Sequence, residues 1–144
     1  MKYIIIIALT FCIGKAQCQI KKNDLEGKWT LCNENDLYTT ADTIVLHQDI
    51  NYQYGVKGCC HFISWNIKSK NIEIESLFAC SEPGRITKSN AKQTIKLIKA
   101  NHDQMIVVCE KGKLLSKFKV IRLETSKVNR YPYEIKTLAL KREH

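Results

Sequence analysis

The chain lacks an apolar run long enough to cross a bilayer as a helix. Its longest, Tyr3 to Ile13, falls short of the roughly 20 residues that a hydrocarbon core demands. Paired Cys-x-x-Cys spacing is also missing, and with it the recognisable signature of a structural zinc site, so no metal is expected. Lys and Arg number 23 against 14 Asp and Glu, yet they form no run of the density found in nucleic-acid arms, and nucleic acid is not an expected partner. Helical periodicity is nearly absent, and no internal repeat or low-complexity tract is present. No catalytic signature emerges either: the acidic residues form no evident pair, and His47 and His102 sit beside Gln48 and Asp103 in turn-like positions. The expectation is a protein that is not an enzyme and carries no cofactor.

What is present begins with an export signal. Met1-Lys2 gives a positive end, Tyr3 to Ile13 an apolar run, and Gly14-Lys15-Ala16-Gln17-Cys18 a polar exit with small residues at cleavage spacing. This pattern predicts a secretory signal peptide over 1–18, cut after Ala16 or Cys18, and a periplasmic or secreted product. A lipidated Cys18 is the weaker reading, because Gln17 stands where a small residue is expected. Losing Lys2 and Lys15 leaves +7 of the formal +9, so the remaining single domain is basic and suited to anionic envelope surfaces.

Five cysteines then remain, Cys32, Cys59, Cys60, Cys80 and Cys109, an odd number in an oxidising compartment. At most two bridges form within the chain, and one thiol is left over or pairs between chains. Adjacent residues of an extended segment face opposite ways, so only one of Cys59 and Cys60 can meet a given partner. One bridge from this pair to Cys80 is expected from their proximity in sequence.

Period-two alternation recurs along the chain. Asn71-Ile72-Glu73-Ile74-Glu75 is strict, and similar patterns occupy Ile63 to Lys68, Thr94 to Leu97 and Ser116 to Val120. Lys28 to Leu31, Thr43 to His47, Tyr52 to Val56 and Met105 to Glu110 bring the count to about eight strands. Short links, including a tight turn at Lys111-Gly112, make successive strands antiparallel. The link Ala79 to Asn90 reads as a loop. The residues from Thr125 onward read as an appended basic tail, with a short helix over Ile135 to Lys141 as its one candidate element. An open sheet of such strands would expose two edges, whereas closure removes them. An all-β, antiparallel up-and-down barrel over 24–124 is therefore predicted, with a sandwich as the alternative.

Gly27-Lys28-Trp29 at the head of the first strand, followed by this meander, resembles the short secreted lipocalin-like domains of bacteria, over roughly Asp24 to Leu123. The resemblance implies that Trp29 closes the bottom of the barrel and that a basic residue of the last strand packs across its indole; Arg122 stands where that residue is expected. The Thr-Asp-Tyr motif of larger lipocalins has no counterpart, and the short strands imply a cavity that is small or absent.

Ligand-facing candidates are Tyr52, Tyr54, Trp65, Ile74, Leu97, Met105 and Phe118, part of an inward set that also takes in Ile67, Ile72, Ile95 and Val107. These side chains either fill the interior or line one small pocket. Two functional readings lead. One is a secreted binding protein for a small hydrophobic ligand. The other is a filled barrel whose basic surface and tail, with Lys127, Arg130, Lys136, Lys141 and Arg142, contact an envelope component. An enzyme built on Cys60 and His61 ranks last, since neighbouring strand residues face apart. A metal site from Cys59, Cys60, His61 and Cys80 is likewise disfavoured.

Overall fold

The computed structural model describes residues 19–48, 59–80, 84–89, 91–127 and 134–144. Nine strands are formed: β1 (Gly27–Cys32), β2 (Thr43–Gln48), β3 (His61–Lys68), β4 (Asn71–Phe78), β5 (Arg85–Lys88), β6 (Gln93–Ala100), β7 (Asp103–Glu110), β8 (Lys113–Lys127) and β9 (Glu134–Glu143). All pairings are antiparallel. The order β3-β1-β2-β9-β8-β7-β6-β4 closes through a β3–β4 ladder into an eight-stranded barrel, and β5 is an extra strand on the upper half of β4.

The closed antiparallel barrel agrees with the alternation, but its strand order departs from a simple meander. β1 lies between β2 and β3, pairing with both, so β2 and β3 run in the same direction. Such a connection needs a crossover of about a dozen residues, and 49–60 separate the two strands in sequence. The predicted strand Tyr52 to Val56 lies outside the described residues. Further along, the expected loop Ala79 to Asn90 contains β5. Lys88 anchors that strand, its ammonium 2.6 Å from Glu75 and 3.4 Å from Glu73, and both carboxylates raise its pKa.

The C-terminal segment is also corrected. It is neither an appended tail nor a helix: β9 pairs with β2 on one side and β8 on the other and so closes the barrel. Leu138 and Leu140 are fully buried, and Thr137 and Ala139 are buried on the opposite face. A run buried on both faces loses its period-two signal and cannot be told from a buried helical turn by pattern alone.

Inward positions of the strands build one core. Trp29, Leu31, Ile44, Leu46, Trp65, Ile67, Ile72, Ile95, Ile106, Val108, Phe118, Leu138 and Leu140 all belong to it. Lys111 and Gly112 both take positive φ at the β7–β8 turn, the paired left-handed geometry that matches strand twist in a two-residue hairpin. Gly27 is required for a different reason. Its φ is +120°, and a Cβ there would collide with the side chain of Gln48, which donates to the Glu26 carbonyl at 2.6 Å.

Candidate functional site

The two ends of β1 lead to the two ends of the barrel. Ahead of it, the 3-10 turn Lys22–Leu25 folds across one opening. Leu25 and Ile20 are buried there, the Trp29 indole N–H donates to the Leu25 carbonyl at 2.7 Å, and the Gln104 amide pairs with both the N–H and the carbonyl of Ile20 at 2.8 and 2.7 Å. Arg122 takes no part in this closure. The register shifts between Val120 and Arg122, a bulge that keeps Val120 and Leu123 on the core and turns Arg122 outward. Its Nε lies 3.6 Å from Glu124 and its side chain is 58% exposed. The expected Arg122–Trp29 stack is thus corrected: one inserted residue exchanges the faces of the strand beyond it.

Beyond the other end of β1, Cys32 is bridged to Cys59 and Cys60 to Cys80, leaving Cys109 as the free thiol among the described residues. The pairing satisfies the opposed directions of Cys59 and Cys60 and contains the expected bridge to Cys80. With both sulfurs in bridges, no thiol stands beside His61. The imidazole instead accepts from Asn33 at 3.2 Å, donates to Ser76 at 2.7 Å and stacks on Phe78 with ring centres 4.1 Å apart. Cys32, Cys59 and Glu34 come within 4.8 Å of one another, but bridged sulfurs offer no thiolate to a metal.

Asn33 is buried and organises the next turn. Its side-chain oxygen accepts from the Tyr38 N–H at 2.6 Å, which holds α1 (Leu37–Thr40) at the mouth of the barrel. Asn35 and Asp36 precede it with positive φ, a conformation that short polar side chains tolerate. Tyr38 then leans inward. Its hydroxyl accepts from the Trp65 indole at 3.1 Å, its ring meets Trp65 edge-on at 6.3 Å, and Trp65 in turn packs against Phe118 at 5.5 Å. Burial raises the Tyr38 pKa, with the Trp65 N–H and the charge of Arg142 acting in the opposite direction.

Above this aromatic floor lies a cavity of about 340 Å³, lined by Tyr38, Thr39, Ile74, Ser89, Gln93, Leu115, Ser116 and Arg142. Arg142 reaches it from β9. Paired with Phe118, it shares the inward parity of Leu138 and Leu140, and its guanidinium sits 5.0 Å over the Phe118 ring and 6.0 Å from Tyr38. One terminal nitrogen donates to the Tyr38 carbonyl, while the Nε is buried with no partner among the described residues. Gln93, 6% exposed, donates its amide N–H to Ser89 at 3.3 Å and leaves its carbonyl oxygen unpaired. Buried polar atoms are rarely left this way, and two such side chains line one cavity.

A groove of about 390 Å³ lies beside it, lined by Asn66, Lys68, Asn71, Glu73 and Lys92, and Gln93 borders both. The groove lacks an aromatic wall, so the mouth cavity is the better-formed site.

Of the sequence candidates, Ile74 alone lines the mouth cavity. Trp65 and Phe118 are fully buried beneath it, and Leu97 is half-buried against the core. Met105 and Val107 lie on the face of β7 opposite the core residues Ile106 and Val108, Met105 buried at 5% and Val107 half-buried; four apolar residues in a row carry no information about which pair turns into the barrel. Tyr52 and Tyr54 lie outside the described residues. Arg142, expected on a basic surface, points into the barrel. Its position follows from the alternation Leu138, Leu140, Arg142 once the segment is known to be a strand, and Gln93 follows likewise from Ile95 and Leu97.

No helix among the described residues is long and apolar enough to cross a membrane. No protein-family model, curated protein or solved structure matches the chain.

Proposed function

We propose that the chain is an exported, lipocalin-like binding protein that holds a small molecule at the Tyr38–Arg142 end of its barrel. The observation that carries this reading is the mouth cavity itself, about 340 Å³ with two side chains whose buried polar atoms the protein leaves unpaired. Pockets of this size, with an apolar wall and a few convergent polar groups, are the usual form of a small-ligand site. The two bridges near this end suit an oxidising compartment and the predicted signal peptide. The filled interior narrows the expectation of a hydrophobic carrier: the ligand occupies the mouth, not the barrel axis.

Native mass spectrometry of protein freshly purified from an exporting host tests this directly. A small molecule retained in substoichiometric or stoichiometric amount is the expected result, and its loss on filling the cavity by Ser116→Phe supports the location. Protein that is bare in every preparation, and that takes up nothing from a small-molecule extract, contradicts the reading.

A second reading draws on the same filled interior and on the exposed Lys127, Lys136 and Lys141 near and along β9. A basic face of this kind would hold an anionic envelope surface. Retention on anionic vesicles that disappears at high salt is its expected mark, since exposed charges are screened within a few ångströms at molar ionic strength.

A further inference from the structure

We infer that the occupant of the mouth is a small carboxylic acid that also carries an N–H or O–H donor. This rests on the binding reading above and specifies its ligand.

The acid follows from Arg142. No carboxylate of the described residues lies within 4.0 Å of its guanidinium, whereas Lys88 and Lys119 on the outer surface both have acidic partners, at 2.6 Å from Glu75 and 2.7 Å from Asp103. Arg142 is instead held between the Tyr38 and Phe118 rings and the Tyr38 carbonyl, with its Nε buried and unmet. A half-buried positive charge held among aromatic rings without a counter-ion is placed to take up a negative charge from a ligand. The planar guanidinium edge fits a planar carboxylate, and desolvation at the site strengthens the pairing. Arg142 is the one charged side chain lining the cavity, and no Lys accompanies it, which matches a singly charged acid better than a phosphate.

The donor follows from Gln93. Its amide orientation is fixed by its neighbours. Ser89 Oγ donates to the Glu110 carboxylate at 3.4 Å and accepts from the Ala91 N–H at 3.3 Å, so it receives the Gln93 N–H rather than giving a proton to Gln93. The remaining Gln93 oxygen is an acceptor without a donor, and a ligand N–H or O–H completes it. Ile74, Leu115 and Tyr38 leave room beside these groups for a short apolar portion.

Isothermal titration with three probes separates the parts of the inference. N-acetyl-L-leucine has the acid, the N–H and an apolar branch; its methyl ester lacks the charge; 4-methylpentanoate keeps the charge and lacks the N–H. N-acetyl-L-leucine is expected to bind at least about tenfold more tightly than its ester, the range of one charged hydrogen bond, with 4-methylpentanoate between them. Arg142→Met is expected to reduce the acid-to-ester ratio to about one, and Gln93→Leu to close the gap between the two acids. An ester that binds the wild-type protein as well as the acid overturns the inference while leaving the binding reading intact. So does an acid preference that survives in Arg142→Met. If no probe binds at millimolar concentration the inference falls, and native mass spectrometry of the purified protein then decides whether the binding reading falls with it. The comparison of acid with ester needs no variant and stands even if Arg142→Met does not fold.

Discussion

The two ends of this barrel treat buried polar groups in opposite ways. Around Trp29, the indole N–H, the backbone of Ile20 and the amide of Gln104 are all matched at 2.7 to 2.8 Å, and a turn of chain covers them. Around Tyr38, an arginine and a glutamine are drawn in under the rim, and each keeps one polar atom without a partner among the described residues. The open end has more aromatic surface, Tyr38, Trp65 and Phe118 against Trp29, so the difference does not come from a shortage of apolar surface. It comes from what the polar atoms are for. A satisfied end contributes stability; on the binding reading proposed above, the unsatisfied end gives up some stability for an interaction with a ligand.

Substitutions at the two ends should therefore separate along this line. The largest effect is expected at the covered end: Trp29→Ala removes a fully buried indole and its hydrogen bond, and should lower unfolding free energy by about 3–5 kcal/mol in urea titrations. A loss under about 1 kcal/mol would remove Trp29 from the core. Next is the bridge that ties β3 to β4. The double change Cys60→Ser with Cys80→Ser should cost about 2–4 kcal/mol and leave the Cys32–Cys59 bridge detectable by peptide mapping. At the open end the sign changes. Gln93→Leu deletes an unmet buried acceptor and should leave stability unchanged or raise it by up to about 1 kcal/mol. The smallest effect belongs to Arg122, whose exposed pairing with Glu124 predicts a change under about 0.5 kcal/mol for Arg122→Ala, measured as a shift in the denaturation midpoint.

The same contrast explains how much of the molecule its sequence reveals. Strands in which apolar and polar residues alternate, such as Ile63 to Lys68 and Asn71 to Glu75, are legible because alternation records the difference between their faces, even where the polar face is itself covered, as at Ser64. Trp29 is legible as a core residue for the same reason. Arg122 misleads because a bulge inserts a residue, and no local pattern marks where a strand gains one. The segment Glu134–Glu143 misleads because its centre, Thr137 to Leu140, is buried on both faces, and its misreading hides Arg142 along with it. Asn33 and Tyr38 carry no sequence signal at all. Their places depend on two left-handed residues and on a hydrogen bond from Tyr38 N–H to Asn33, both set by the fold around them. The fold is thus readable wherever polar and apolar residues alternate. Arg142 belongs to a strand whose centre, Thr137 to Leu140, is buried on both faces, and there the pattern is silent.

The denaturation midpoint of Arg142→Met bears most directly on the difference between the two ends. Methionine keeps the apolar contact with Phe118 and removes the charge and the unmet Nε, so unfolding free energy within about 1 kcal/mol of the wild-type protein is expected, together with lost acid binding. A loss of about 3 kcal/mol or more, comparable to Trp29→Ala, would make Arg142 a structural residue and contradict the assignment of the open end to a ligand.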